Sequence, residues 1–376
     1  MSRMHIAINC RSFLTATPTG IGRYSRNLTD HLSRVDAAND YSLYSPKGFF
    51  DRKRRLPKAP GSNFHVRPDY CSFGVEAVCG RVDVYHAPSP EVIRTGPRVK
   101  VVVTVHDLVH KVFPQTQTLQ TTVLSNAAMD SIVQHATRFI CISESTRKDL
   151  EKFYPSTSGR ACVVYNGFDK TLFYEMDEAE KGVARAILDG LGVKEKFLLF
   201  VGTLEPRKNL NNLLQAFAGI KSRGIFNGKL VVAGMKGWMM ESFDQLAADL
   251  GIGGDVISLG YLTDHELRYL YGLCEVFVFP SLYEGFGFPI LEAMACGAPV
   301  VTSNVSSCAE VGHGAALMVP PSDPDAIAAA IERIVTDSAF AVETRRRSLA
   351  RAQDFSFEKM ARETLGVYEG LFERTV

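Results

Sequence analysis

A chain of 376 residues exceeds what one hydrophobic core usually spans, so two domains are expected. With 46% hydrophobic and 22% charged residues it is an ordinary globular composition, which excludes a disordered chain. A net charge of +1 offers no global basic field, so no nucleic-acid partner is expected.

The first apolar run, "HIAINC" (5–10), leads into a polar, glycine-rich stretch. There Gly20 and Gly22 of "TPTGIGRYSRNL" (17–28) permit a tight turn and close approach of main chain to phosphate or acceptor. A bare Gly-x-Gly is also what an ordinary strand–helix turn looks like. Position 25 is Ser and no Walker A lysine follows, which counts against a dinucleotide enzyme and a P-loop ATPase. Apolar runs continue at "YSLYS" (41–45), "VDVYHA" (82–87), "KVVVTV" (100–105), "RFICIS" (138–143) and "CVVYN" (162–166). Between them, "DRKRRLPKAP" (51–60) sets Arg52, Lys53, Arg54, Arg55 and Lys58 beside Phe49 and Phe50. It reads either as a solvated loop or as a patch for anionic lipid head groups or a lipid-diphosphate acceptor. His106 ends the buried run of "VVVTVHDLVH", next to Asp107, where it would face a cleft and hydrogen-bond hydroxyls near the reacting carbon. "CISESTRKDL" reads as a strand and then a helix capped by Ser143 or Ser145.

A polar segment, "DKTLFYEMDEAEKGV", separates the halves, with Gly167 and Asp169 near the hinge. The expected division is 1–168 with a C-terminal helix at about 355–376, and 169–354. The second half repeats the pattern at "FLLFVG" (197–202), "KLVVAG" (229–234), "VISLG" (256–260), "VFVFPS" (276–281) and "PVVTS" (299–303). Runs that are apolar throughout predict strands covered on both faces, hence parallel sheets flanked by helices. The fold class is therefore α/β, as two doubly wound Rossmann-like domains facing each other across a cleft. Ligands in such sheets bind beyond the carboxyl ends of the strands, and polar clusters do follow the strands directly. In "VGTLEPRKNLNNLLQAF" (201–217), Arg207 and Lys208 follow a strand beginning its turn at Gly202, and Asn209 is placed to cap a helix with apolar face Leu210, Leu213, Leu214 and Phe217. Cations there suit a diphosphate leaving group, whose charge grows as its bond breaks; an exposed basic turn is the plainer reading.

"SLYEGFGFPILEAMACGAPVVTSN" (281–304) places Glu284 on a glycine-rich turn and Glu292 inside the following helix. Pro289 suits the first helical position and Gly297 a C-terminal stop. The helix start favours an anion, and the two carboxylates could accept from two sets of hydroxyls. A nucleotide sugar presents such a series: hexose hydroxyls, diphosphate, ribose hydroxyls. Dipole complementation by Glu292 and solvation of Glu284 is the structural alternative.

The string E-G-F-G-F-P-I-L-E-A-M-A-C-G-A-P-V resembles the E-x7-E signature of retaining glycosyltransferases of the GT-B fold, family 4. "EPRKN", "TPTGIGRYSRNL", "VHDLVH" and "YNGFD" are similar to that family as well, so the resemblance covers nearly the whole chain. It implies that Glu284 contacts donor-sugar hydroxyls, that Glu292 binds the ribose, and that main chain across Gly285, Phe286, Gly287 and Phe288 holds sugar and phosphate. Gly20, Gly22, Gly202, Arg207, Lys208, Tyr261 and Leu262 complete the implied donor site, the last two near the base. His106, Arg207, Lys208 and Glu284 are the implied catalytic residues. The first domain would bind the acceptor and the second the nucleotide sugar, without a metal or other cofactor. "TGIGRY" with "GTLEPRKNL" is most similar to bacterial mannosyl- and rhamnosyltransferases of O-antigen and exopolysaccharide pathways, which favours GDP-mannose as donor. A saccharide or lipid-diphosphate-linked acceptor follows from the same likeness. The alternatives are a sugar-nucleotide epimerase of the same fold and a non-catalytic sugar-nucleotide sensor; intact Glu284, Arg207 and His106 argue against the sensor.

Location follows from what the chain lacks. "MHIAINC" shows no secretory pattern, and no apolar run approaches the ~20 residues of a membrane span. The eight cysteines form no Cys-x-x-Cys pair and sit mostly in apolar runs, which reads as buried thiols rather than zinc ligands. A cytoplasmic protein is expected, with peripheral contact at the inner face of the membrane if the basic loop meets lipid.

Overall fold

Alternate residues of the first apolar run enter different cores. Ile6 and Ile8 pack with Tyr24, Leu28, Tyr41 and Tyr368. Ala7, between them, packs with Tyr85, Val103, Ile132 and Phe139. Both faces of the strand are therefore dry, which is why it shows no polar alternation. The computed structural model describes residues 3–14, 20–51, 54–91, 95–235 and 240–373. Its chain divides into two units, at Gly167/Phe168 and again at Phe355/Ser356.

Among the described residues, the first unit holds seven strands: β1 (His5–Asn9), β2 (Asp40–Pro46), β3 (Phe64–Asp69), β4 (Val84–Ala87), β5 (Lys100–Val105), β6 (Arg138–Cys141) and β7 (Ala161–Val163). All pair in parallel, in the order β3-β2-β1-β4-β5-β6-β7. The second unit holds β8 (Phe197–Val201), β9 (Lys229–Ala233), β10 (Val256–Gly260), β11 (Val276–Phe279), β12 (Val300–Ser303) and β13 (Leu317–Val319). They too are parallel, ordered β10-β9-β8-β11-β12-β13. In both sheets the strand order reverses beside the first strand, so a crevice is expected at β1/β4 and at β8/β11.

Two strands lay outside the sequence reading, and both are edges. β3 is exposed at alternate positions and carries Pro68, which an edge tolerates because one side needs no ladder donor. β13 is only three residues long.

The C-terminal helix Phe357–Glu373 belongs to the first unit and packs on the helix Gly20–Val35. Tyr368 and Thr104 hold the fully buried His86 at 2.6 and 2.8 Å, and burial pushes its pKa down to about 3. Where this helix begins, the backbone of Ser356–Phe357 runs against Gly167. A β-carbon at Gly167 would lie 2.0 Å from the Phe357 amide nitrogen, so no larger residue fits without moving the chain.

No described helix is long and apolar enough to cross a membrane. Six of the cysteines are buried, Cys162 is partly covered and Cys71 is exposed.

Candidate active site

The reversal of strand order in the second unit lies between β8 and β11, and both predicted clusters leave from it. After β8 the chain makes a single 3-10 turn, Pro206–Lys208. After β11 it runs through Ser281–Gly287 into the helix Phe288–Ala295. The Leu282 amide donates to the Arg207 carbonyl at 2.8 Å, so the loops are tied together. Asn209 adds a second tie. It occupies the N-cap position, but its left-handed backbone (φ 62°) leaves it without a capping bond. Its amide instead donates to the carbonyls of Pro280 and Pro321, at 3.0 and 2.5 Å. The capping role expected of Asn209 is thus replaced by a bridge between loops. The helix behind it does bury Leu210, Leu213, Leu214 and Phe217.

These ties bring Arg207, Lys208 and Glu284 into one cluster. The Glu284 carboxylate accepts from Lys208 Nζ at 2.6 Å, from Arg207 Nη1 at 2.8 Å and from Ser281 Oγ at 2.6 Å. Arg207 also donates to Glu205 at 2.5 Å and to the Tyr283 carbonyl at 2.7 Å. Glu284 is 8% exposed, so the plainer readings of an exposed basic turn and a solvated glutamate do not hold. Burial alone would raise its pKa. The adjacent Lys208 and Arg207 charges, with the hydrogen bonds from Lys208 and Ser281, outweigh that and hold the carboxyl below its ordinary value. Glu205, Arg207, Lys208 and Glu284 balance to zero formal charge, which lets the group sit out of water. The Lys208 ammonium also stands 5.0 Å over the Phe279 ring.

The helix after this cluster starts at Phe288, so Pro289 takes its second rather than its first position. Gly287 precedes it with φ 99°, and Gly297 (φ 76°) follows its end as a left-handed stop. Phe286 is buried against Phe288 and Phe355, ring centroids 5.2 and 5.9 Å away, so its side chain is structural and only its main chain can serve a ligand. Gly285 is buried beside it. Glu292 lies one turn into the helix, 8% exposed, and accepts from the Tyr271 hydroxyl at 3.1 Å. Burial, reinforced by the Glu292 charge, pushes the Tyr271 pKa up, so the phenol stays a donor.

Gly202 directly follows β8, its amide donating to the Ala233 carbonyl at 2.9 Å, and lies against the Lys208 side chain, where a β-carbon would stand 3.7 Å from Lys208 Cε. Other predicted residues are placed apart from that cluster. Tyr261 follows the edge strand β10, two strands from the reversal, with its ring exposed, while Leu262 beside it is buried. Gly20 and Gly22 do not form a loop: they open the helix Gly20–Val35, because the stripe Tyr24, Leu28, Leu32 extends helical packing back to them. Positions 17–19 of that motif, and Arg52 and Lys53 of the basic loop, lie outside the described residues. Arg54 pairs with Asp51 at 3.4 Å, while Arg55 and Lys58 are exposed. Phe49 and Phe50 are 73% and 90% exposed, and Phe49 packs edge-on against Phe50 and Tyr70. Ser143, not Ser145, caps its helix by accepting from the Thr146 amide. Asp169 accepts from the Thr171 amide at 2.9 Å, just past the unit boundary.

In the first unit, His106 follows β5 and its Nε2 meets the Pro88 carbonyl at 2.7 Å. A carbonyl only accepts, so Nε2 carries the proton and Nδ1 presents a lone pair. Burial lowers the His106 pKa, offset only in part by the Pro88 bond and by Asp107, so the ring is neutral near pH 7. Tyr24 braces it edge-on at 4.9 Å. Sequence reasoning passed over Asn9, Ser89 and Glu91, which meet at the β1/β4 reversal. The signal for them was available: Asn9 ends one central strand, and Ser89 and Glu91 shortly follow the other.

Two Rossmann-like parallel-sheet units in one chain, with a charge cluster at the second reversal point, have the architecture of GT-B glycosyltransferases. Residues 18–172 match the family model described as Glycosyltransferase Family 4, and residues 189–354 that of Glycosyl transferases group 1. The chain is 28% identical to O-antigen chain mannosyltransferase B of Escherichia coli, over 93% of this chain and 96% of that protein. It is 31% identical to the serotype-specific mannosyltransferase WbdA of Escherichia coli, over 61% of this chain and 28% of that longer protein. Among solved structures, sucrose-phosphate synthase from Thermosynechococcus elongatus superposes with a TM-score of 0.77 at 26% identity, covering 99% of this chain and 100% of that one. The chain belongs to family 4 of the GT-B glycosyltransferases, and it is a glycosyltransferase.

Proposed function

We propose that this protein is a retaining α-mannosyltransferase that moves mannose from GDP-mannose to a saccharide, or a lipid-linked saccharide, in polysaccharide assembly. The observation that carries the reading is the buried Arg207–Lys208–Glu284 cluster at the β8/β11 reversal, one loop before a helix bearing Glu292. The names of the two Escherichia coli relatives support mannose.

In this reading the second unit holds the donor. Glu292 accepts from ribose hydroxyls, and the helix start at Gly287–Phe288 faces the diphosphate. Lys208 has three N–H donors and uses one on Glu284, which leaves capacity for phosphate oxygens. Arg207 and Lys208 then act where charge develops, in the role a divalent ion would otherwise fill. Glu284, fixed between them, orients hexose hydroxyls. A carboxylate tied on both oxygens and held at low pKa is a poor nucleophile, which favours same-face transfer over a glycosyl-enzyme. The bond between the anomeric carbon and the β-phosphate oxygen breaks, its electron pair leaving on GDP. The acceptor oxygen bonds to that carbon from the same face, and its proton passes to the departing phosphate oxygen. The first unit is assigned the acceptor, with His106 offering Nδ1 as a hydrogen-bond acceptor.

The test is a donor panel of GDP-mannose, UDP-glucose, UDP-N-acetylglucosamine and dTDP-rhamnose, with and without saccharide acceptors, and NMR assignment of the product anomer. GDP-mannose should give an α-linked product, and EDTA should leave the rate unchanged. Turnover of the donor alone with retention of its sugar would identify an epimerase, and binding without turnover a sensor. A β-linked product or metal-restored activity would overturn the mechanism.

Location belongs to the same reading. Exposed Phe49 and Phe50, close in sequence to exposed Arg55 and Lys58, suit peripheral contact with an anionic membrane at its cytoplasmic face.

A further inference from the structure

The reversal point of the first sheet carries a carboxylate that the donor chemistry does not use. β1 and β4 are neighbours there, Ile8 lying opposite His86. Asn9 closes β1, and its Oδ1 accepts from the Arg11 amide at 2.9 Å. That bond fixes which way the side-chain amide faces. Nδ2 therefore donates outward, to Tyr85 Oη at 2.9 Å and to Glu91 Oε2 at 3.0 Å. Ser89 Oγ donates to the other oxygen of Glu91 at 3.1 Å. The loop that carries both residues is pinned at Pro88 by His106.

Glu91 is thus the converse of Glu284. Each of its oxygens is held by one neutral donor, and each can accept about one more hydrogen bond. No described cation pairs with it, and it is only partly buried. An uncompensated carboxylate repels phosphate and attracts O–H donors. Nδ1 of His106 adds a second acceptor on the same loop system, again without a positive charge. Such a site selects neutral polyols.

We infer that Glu91, oriented by Asn9 and Ser89, binds hydroxyls of the acceptor saccharide in the first unit. This rests on the glycosyltransferase reading, since it names the acceptor side of that reaction. Glu91 binds and orients; it is not assigned a proton transfer. Asn9 is a positioning residue, both of its Nδ2 donors being spent on Tyr85 and Glu91.

The experiment compares wild type with Glu91→Gln, Glu91→Ala and Asn9→Ala. With GDP-mannose as donor and mannotriose as acceptor, Glu91→Ala should raise the acceptor KM roughly 10- to 100-fold, Glu91→Gln and Asn9→Ala less. kcat at saturating acceptor should move several-fold at most. GDP affinity and acceptor-free hydrolysis of GDP-mannose, which report on the second unit, should stay at wild-type values. Saturation-transfer NMR of mannotriose without donor should lose its signal in Glu91→Ala. That measurement decides the role of Glu91 even if no donor in the panel turns over, which would defeat the GDP-mannose reading alone. Wild-type mannotriose binding in Glu91→Ala, or an equal fall in hydrolysis and transfer, would overturn the inference.

Discussion

Removing Lys208 should unmask how far the charge cluster serves folding and how far it serves chemistry. Lys208 Nζ lies 2.6 Å from a Glu284 carboxylate that is 8% exposed, so Lys208→Met strands part of a buried negative charge. Breaking a buried pair by deleting one partner costs about 3–5 kcal/mol. For a unit the size of Phe168–Phe355, unfolding on its own, that corresponds to a fall in Tm of roughly 6–20 °C. Arg207 and Ser281 remain on the carboxylate, which places the expectation toward the lower end. Adding Glu284→Gln removes the stranded charge, so the double variant should regain much of the lost stability while turnover stays at background. pH gives an independent check. The folded-state pKa of Glu284 is depressed, so its contribution is present above the unfolded carboxyl pKa and is lost as pH falls through the folded value. The acid-side slope of wild-type stability should therefore flatten in Glu284→Gln. Thermal unfolding by circular dichroism and turnover of GDP-mannose measure both sides of the cycle. Wild-type melting of Lys208→Met would refute the buried-pair argument, and restored turnover in the double variant would refute the catalytic one.

Glu292→Ala should weaken binding of bare GDP about 10-fold by calorimetry, whereas Glu284→Gln should change it little, because the bare nucleotide lacks the hexose. Equal losses would mean that the two carboxylates do not divide ribose from hexose. Gly167→Ala should destabilise the first unit by about 1–3 kcal/mol or more in urea unfolding, since the new methyl meets the Phe357 backbone. An unchanged midpoint would mean that Ser356–Phe357 can shift freely. Phe49→Ser with Phe50→Ser should reduce co-sedimentation with phosphatidylglycerol vesicles at low salt, and high salt should release wild type by screening the basic residues. If wild type ignores such vesicles, the membrane partner is to be dropped.

Sequence alone determined the layered architecture, because every central strand is dry on both faces and therefore reads as an unbroken apolar run. It also located the helix after Glu284, where Gly287, Pro289 and Gly297 act through local backbone preferences. Two of the four edge strands escaped: β3 is half solvated and β13 only three residues long, so neither carries that signal. The starts of helices were blurred for a related reason, as the packing of Tyr24, Leu28 and Leu32 drew Gly20 and Gly22 into helix despite their preference for a turn. What only the tertiary structure decided is which polar groups meet. Arg207 and Glu284 are 77 residues apart, Asn9 and Glu91 82, and Asn209 and Pro321 112. Periodicity and capping extend over a few residues, whereas these pairs depend on which strands are neighbours in a sheet. That β8 lies beside β11, and β1 beside β4, turns two cations from an exposed turn into a neutralised cluster and ties Glu91 to Asn9, with no cation among the described residues paired to it.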